Sequence, residues 1–452
     1  MNSIKYSSPW IEHLKKRRKI TQLSSNIETE TVIVGAGIAG ITTAYYLLKD
    51  TNKKVIVLEA NKLAHGATGH NAGQIASYFE HSFSSIAKKY GLKEAAKAQR
   101  FVLSAWDLLD HIIFEVDLKH KPLSFAGFAG CTTIEQLLSH LENSYKRHKQ
   151  NVVMDFAYVK NDPKILSKIP NKYSHLYLVE DSSRIQKKLE TNSKEFIAAL
   201  SVRKGCMNSA KFCEEVVEYL YETYPQRFML YEENPVSEII LSKPLSTVKM
   251  KKNNSIVKAK DIILCSNGFR GFTIKDSREK EIKETPFKSV EGLVGYMAGY
   301  EYESNKRPTA ISYFPKDFDK TDAYYYLTRR PINSKKRLVC IGGPDFKLSD
   351  SHRYDNKKHY LENSEQDVKN FLKKYHCETP SSFEFKYKWE GLMGYTKTKI
   401  RVIGRDKKYP QLWYNLGCNG VGILPSIFGS KRISLLFQGK KLDPTIFDPG
   451  YK

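Results

Sequence analysis

Three glycines and one acid carry the first chemical signal. Gly35, Gly37 and Gly40 stand in the run Gly35-Ala36-Gly37-Ile38-Ala39-Gly40, between an apolar stretch at 31–34 and the helical pattern Ile41, Ala44, Tyr45, Leu48. A second apolar stretch at 54–58 ends at Glu59, 19 residues past Gly40, with Ala60 beside it. G-x-G-x-x-G between strand and helix suits a pyrophosphate. The first glycine permits the tight turn, the second lets backbone approach the phosphates, and the third lets helix and strand pack closely. The N–H groups and partial positive charge of the helix start face the phosphates, and an acid after the next strand accepts ribose hydroxyls. The spacing therefore predicts a dinucleotide site, with Glu59 disfavouring a 2′-phosphate.

Two further glycine-rich stretches bear on which dinucleotide is bound. His65-Gly66-Ala67-Thr68-Gly69-His70-Asn71-Ala72-Gly73-Gln74-Ile75 follows the second strand, and small residues there predict backbone wrapped around a bulky polar ligand. Near the other end, Trp413-Tyr414-Asn415-Leu416 reads as a strand, and Gly417-Cys418-Asn419-Gly420-Val421-Gly422 as a loop entering a helix. That helix start offers its dipole to a second negative centre, such as the N1–C2=O edge of a reduced flavin.

From about residue 29 to 439 the chain resembles the FAD-dependent oxidoreductases of the D-amino-acid oxidase/glycine oxidase (DAO) superfamily. GAGIAGITTAYYL and VLEA precede GATGHNAGQI, which is similar to the family's G-A-S-G-x-N-x-G-Q segment. The stretch 255–269, ending in Cys265-Ser266-Asn267-Gly268-Phe269, resembles its added strand and V-L-A-T-N-G-Y element. Trp389-Glu390-Gly391, Val402-Ile403-Gly404 and GCNGVGILP close the match. The resemblance implies an α/β fold with a discontinuous, Rossmann-like FAD-binding domain (28–115, 190–284 and 386–445). A second, mixed β-sheet substrate domain would occupy 116–189 and 285–385, preceded by a basic arm over 1–27. It also implies FAD as cofactor, held by Gly35, Gly37, Ile38, Ala39, Gly40, Glu59 and Ala60 at the ADP half. Ala67, Thr68, His70, Asn71, Ala72, Gly73 and Gln74 would line pyrophosphate and ring, Val236 the adenine, Asn267 and Gly268 the added-strand turn, and Gly420, Val421 and Gly422 the pyrimidine edge.

The closest sub-pattern is that of amine-oxidising members, such as gamma-glutamylputrescine oxidase-like proteins. Members acting on free amino acids carry an arginine two residues after the Gly391 equivalent, which clamps the substrate carboxylate. Here that position is Met393. Either the substrate lacks the carboxylate, or Arg329, Arg330, Arg401 or Arg405 binds it. His70 occupies the place where dimethylglycine and sarcosine dehydrogenases attach FAD covalently. Non-covalent FAD, with His70 hydrogen-bonded, is the reading favoured over that attachment. The implied reaction moves a hydride from the α-C–H of a small amine or N-substituted amino acid to flavin N5, giving an imine that hydrolyses, with oxygen or another electron acceptor closing the cycle. Tyr324 and Tyr326 share one face of a strand and are the expected substrate contacts.

Composition supplies the bounds around these elements. With 452 residues, 41% hydrophobic and 12% aromatic, the chain can bury a large core, which excludes disordered, collagen-like and coiled-coil classes. The formal charge of +24 would suit a nucleic-acid or acidic-membrane partner, and an RNA-modifying or RNA-associated flavoprotein is the alternative function. Basic residues are spread along the chain, so a solvated surface is the favoured account, including for Lys15-Lys16-Arg17-Arg18-Lys19, read as a weakly ordered arm. Seven cysteines without C-x-x-C fit a reducing compartment, and no apolar leader or membrane span is read, so a cytoplasmic location is expected. His352, His359, His376 and Cys377 lack metal-ligand spacing and read as surface residues, so no metal is expected.

Overall fold

The computed structural model describes residues 6–451 except 16–18, 270, 284–285, 287–289, 316–323, 350–353, 356–357, 362, 378 and 381–382. His352 and the centre of the basic run, Lys16 to Arg18, therefore lie outside the described residues.

Among the described residues, two β-sheets organise the chain. The first has nine strands around a parallel core, in which Ile27–Val34 lies between Val55–Leu58 and Ile256–Leu264. Phe228–Tyr231 extends it on one side, and Leu412–Leu416 joins Ile256–Leu264 in parallel on the other. Val55–Leu58 is buried at every position, as a parallel strand covered on both faces must be. Val236–Ile240 and Ser246–Met250 form an antiparallel pair in the same sheet. The helix Ile38–Asp50 packs on this sheet beside the late helix Ile423–Phe437, nearly all of it buried. Their contact is sealed by hydroxyls: Ser430 Oγ lies 2.8 Å from Thr42 Oγ1 and 2.9 Å from Thr43 Oγ1, and Asn415 Nδ2 donates to Ser430 Oγ at 3.1 Å. Paired in this way, the buried polar groups tie the two chain ends together without a desolvation penalty left over.

The second sheet has ten strands and is mostly antiparallel. Its long members are Glu291–Glu303, Lys336–Lys347, Leu123–Cys131 and Ala198–Cys206. The helix Ser364–Tyr375 covers one face with Val368, Phe371, Leu372 and Tyr375, and the helix Ile134–His148 covers the far end. Two strands expected within the dinucleotide domain join this sheet instead: Ala198–Cys206 pairs with Leu123–Cys131, and Tyr387–Tyr395 pairs with Glu291–Glu303. A strand's own sequence specifies its faces but not its neighbour, and these partners are separated from it by scores of residues.

The amino-terminal arm is the clearest correction. Ser8 caps the short helix Pro9–Glu12, its hydroxyl accepting the Trp10 N–H at 3.1 Å. Trp10 is wholly buried within the main core, its ring edge-on to Trp389 and beneath the Arg330 guanidinium. Leu23 enters a second core cluster. The basic run at 15–19 gave the segment the appearance of a solvated tail, while the Ser-Pro-Trp before it is an N-cap, a first-turn proline and a large apolar anchor. His376 also departs from expectation: it is buried at the end of the helix Ser364–Tyr375, 3.2 Å from the Tyr313 hydroxyl, because that helix turns its apolar face inward up to its last residue. His359 and Cys377 are exposed.

Candidate active site

A single cavity of about 1410 Å³ runs from the first sheet to the second. Pockets for one small ligand occupy roughly 300–1,000 Å³, so this one has room for a dinucleotide and a second molecule.

At one end the glycine turn has the geometry its spacing predicts. Gly35 has φ +108°, and a Cβ on Gly40 would lie 1.8 Å from the Gly35 carbonyl, so helix and turn touch backbone to backbone. A Cβ on Gly37 would come within 2.9 Å of Thr68 Oγ1, which accepts the Ile38 N–H at 2.9 Å. The Glu59 carboxylate accepts the Ala36 N–H at 2.8 Å and the Asn61 N–H at 2.9 Å, fixing the glycine turn to the end of the second strand. Burial raises its pKa, and those backbone N–H bonds oppose the rise. Asn71 braces the next loop: Oδ1 accepts the Gly73 N–H at 2.7 Å, and Nδ2 donates to Thr68 O and Ser209 Oγ. From the far side, the Trp10 indole donates to Asn71 O at 2.6 Å.

The loop 417–422 closes the middle of the cavity. Asn267 Oδ1 accepts the Cys418 N–H at 2.7 Å, and Asn419 Oδ1 accepts the Thr396 N–H at 2.9 Å. Gly420 has φ +79°, and the helix Ile423–Phe437 starts at Gly422 without a side-chain cap. Its first N–H groups are therefore available to an anionic or strongly dipolar group. Of the residues singled out from sequence, Gly35, Gly37, Ile38, Ala39, Glu59, Ala60, Ala67, Thr68, His70, Asn71, Ala72, Gln74, Val236, Asn267, Gly420, Val421 and Gly422 border the cavity. Gly40, Gly73 and Gly268 stand behind it as packing glycines; a Cβ on Gly73 would meet the Trp10 ring at 2.6 Å, and one on Gly268 the Val290 side chain. His70 borders the cavity with Nδ1 2.9 Å from Gly66 O, so Nδ1 carries the proton, and burial lowers the pKa of the ring and keeps it neutral at pH 7.

Beyond this loop lies a chamber of tyrosines. Tyr324 and Tyr326 both border it with ring centroids 5.7 Å apart, while Tyr325 turns away to stack on Phe371. The Tyr324 hydroxyl donates to Glu80 at 3.4 Å. Sequence reading missed Glu80, Tyr78, Tyr395 and Lys204, which complete the chamber. Lys204 is almost wholly buried and donates to Ser312 Oγ at 2.9 Å and Phe128 O at 3.3 Å. Its stem fits because Gly127 faces it, where a Cβ would lie 2.5 Å from Lys204 Cδ. Glu80 faces the open space of the chamber, yet the surrounding protein pushes its carboxyl up to about 7. Burial pushes Lys204 down to about 7, against the opposing attraction of Glu80. Nothing local in the sequence marked Lys204 or Glu80: the strand Ala198–Cys206 is buried at both ends rather than alternately.

None of the four arginines considered as a carboxylate clamp meets that need. Arg329 lies outside the cavity in a two-pronged pair with Glu190, at 2.6 and 2.7 Å. Arg330 lies over Trp10, and Arg405 bonds Pro410 O at the sheet edge. Arg401 borders the cavity, but its guanidinium is committed to Asn415 Oδ1, Asn415 O and Gly417 O. Met393 lies against Gly295 at the chamber wall.

Comparison with known proteins agrees with this geometry. The chain is 21% identical over 439 residues to the gamma-glutamylputrescine oxidoreductase of Escherichia coli K12, covering 96% of this chain and 89% of that one. Its fold is similar to L-proline dehydrogenase from P. horikoshii (TM-score 0.67, 16% identity, 94% and 97% of the two chains). It is also similar to glycine oxidase from Bacillus cereus (TM-score 0.62, 13% identity, 92% and 96%). The profile of the DAO family, described as FAD dependent oxidoreductase, matches residues 30–434. That match spans most of the chain, and the chain belongs to the FAD-dependent oxidoreductase (DAO) family.

Proposed function

We propose that this chain oxidises the α-C–H of a small amine or N-substituted amino acid to an imine, which water then hydrolyses. The observation that carries the reading is the tyrosine chamber with Glu80 on its wall, the arginines that border the cavity among the described residues being paired with protein groups: Arg401 with Asn415 and Gly417, and Arg147 with Asp155. A carboxylate-anchored amino acid would need an arginine free of such pairing; an amine needs an acceptor for its N–H. The similarity to an oxidoreductase of gamma-glutamylputrescine supports the amine.

When bound, FAD supplies the two-electron acceptance that no side chain offers. Gly35, Gly37, Thr68 and Glu59 would hold its ADP half, and the N–H groups at the helix start after Gly422 would favour negative charge beside them. Tyr324 and Tyr326 flank the substrate carbon, and the Glu80 carboxylate takes the ammonium proton, leaving the nitrogen lone pair to assist loss of the α-hydrogen. His70, with its ring held by Gly66 O, would lie against the cofactor without bonding to it covalently. Oxygen or a second acceptor closes the cycle, in a cytoplasmic setting. The RNA-associated alternative draws no support from the family match.

The test is an anaerobic titration of the purified yellow holoenzyme with an amine panel. Loss of flavin absorbance on amine addition, with yellow FAD released to the supernatant by acid, is the expected pair of results. A holoenzyme that no amine bleaches overturns the reaction, and colour retained in the acid pellet overturns non-covalent binding.

A further inference from the structure

The strand Tyr325–Pro331 carries two adjacent arginines with opposite surroundings. Arg329 spends its charge on Glu190, at 2.6 and 2.7 Å. Arg330 shares the other face of the strand with Tyr326 and Thr328 and has no such partner. Its Nη1 is shut off from solvent and makes no hydrogen bond, and its guanidinium lies 5.4 Å from the centre of the Trp10 ring. Burial lowers its pKa, and the groups that favour its charge are two thiols, Cys206 and Cys340, which burial keeps protonated. A guanidinium stays charged at neutral pH all the same. No carboxylate among the described residues therefore balances this cation. Its field is felt nearby: after burial, Arg330 is the largest influence lowering the pKa of His13. A buried charge left without a counter-charge is costly to a fold, and the face of one indole offsets only part of that cost.

The cation stands behind the cofactor wall. Trp10, under the guanidinium, donates to Asn71 O at 2.6 Å and packs against Gly73. Thr328, two residues before Arg330 on the same strand face, accepts the Gln74 Nε2–H at 3.2 Å. Asn71 and Gln74 both border the cavity. We propose that Arg330 is a fixed positive charge that favours the reduced form of the bound FAD and so raises the potential at which the site accepts electrons. The substrate carbon gives up two electrons and a proton, and the positive charge left behind departs with the imine. One negative charge thereby enters a ring that had none, and a cation behind a low-dielectric wall is worth more against that charge than it is in water. Before the transfer Arg330 has no counter-charge, and the transfer supplies one. The inference rests on the family's FAD and on the 67–74 loop facing its ring, not on the identity of the amine.

The experiment measures the midpoint potential of the bound FAD, by slow reduction beside a dye of known potential, in wild-type holoenzyme, Arg330→Met and Arg330→Lys. Loss of the charge should move the equilibrium between oxidised and reduced cofactor about tenfold toward the oxidised form, a fall of about 30 mV for the two-electron couple. Arg330→Lys keeps the charge and should stay near the wild-type potential. Oxidised FAD should titrate all three apoenzymes with the same affinity, because the uncharged ring makes no call on the cation. A purely structural role, exerted through Trp10 and the loop behind it, would instead weaken oxidised and reduced FAD together and leave the potential where it was. An unchanged potential in Arg330→Met overturns the proposal, and so does an equal fall in Arg330→Lys. Should Arg330→Met fail to fold, Arg330→Gln carries the same expectation, and a wild-type potential there overturns it equally. No amine enters these measurements, so they stand or fall apart from the substrate reading.

Discussion

Truncating Trp10 to alanine tests whether the amino-terminal segment belongs to the cofactor site. The indole is wholly buried, fills the space behind Gly73 and donates to Asn71 O at 2.6 Å. Removing a buried large aromatic costs about 3–5 kcal/mol, and the lost donor leaves a carbonyl of the 67–74 loop unpaired. The unfolding entropy of about 2.1 cal/mol/K per residue gives ~0.9 kcal/mol/K for a chain of this length, so the melting temperature should fall by about 3–5 °C. The same loop carries Thr68, Asn71 and Gln74 on the cavity wall, so FAD should bind about tenfold more weakly, ~1.4 kcal/mol. Trp10→Phe keeps most of the packing and loses only the N–H, so it should cost about 0.5–1.5 kcal/mol. The assay pairs thermal melting of holoenzyme and apoenzyme with an FAD titration of the apoenzyme. A Trp10→Ala protein that melts with the wild type and keeps its FAD affinity would refute the argument and restore the picture of a free arm.

Three other outcomes follow from the site. Gly37→Ala places a methyl 2.9 Å from Thr68 Oγ1 and should weaken FAD binding by about 1–3 kcal/mol, read by fluorescence as free flavin after dilution. With the Glu80 carboxyl pushed up to about 7, kcat/KM for an amine should rise through pH 7 as the carboxylate forms and level off above it. Glu80→Gln should abolish that inflection and cost about a hundredfold in rate, whereas Lys204→Met, which removes a charge that favours the carboxylate, should move the inflection upward. A wild-type profile that is flat from pH 5 to 9 would count against Glu80 as the proton acceptor. Arg329→Met should destabilise by about 3–5 kcal/mol, because it leaves Glu190 without its partner, and should leave KM unchanged. A large KM increase in a protein that still melts normally would return Arg329 to the substrate site.

The dinucleotide end was open to sequence reading because its geometry is local. The turn Gly35–Gly40, the helix start and the strand ending at Glu59 are fixed by residues within 25 positions of one another, and each glycine answers a steric demand within its own turn. The alternation of Tyr324, Tyr325 and Tyr326 is likewise a property of extended backbone alone, and it sorted the cavity-facing rings from the packed one. Met393 in place of an arginine was equally a matter of one position. What the chain could not reveal by itself were pairings set by packing across long separations: Tyr324 with Glu80, Trp10 with Asn71, Arg329 with Glu190. Lys204 reads in sequence as one lysine among many, and it becomes a perturbed base only where Gly127, Ser312 and Phe128 O enclose it. Burial sets the charge state of a side chain and decides which arginines are already spent, and burial is a property of the assembled core rather than of any segment of the chain.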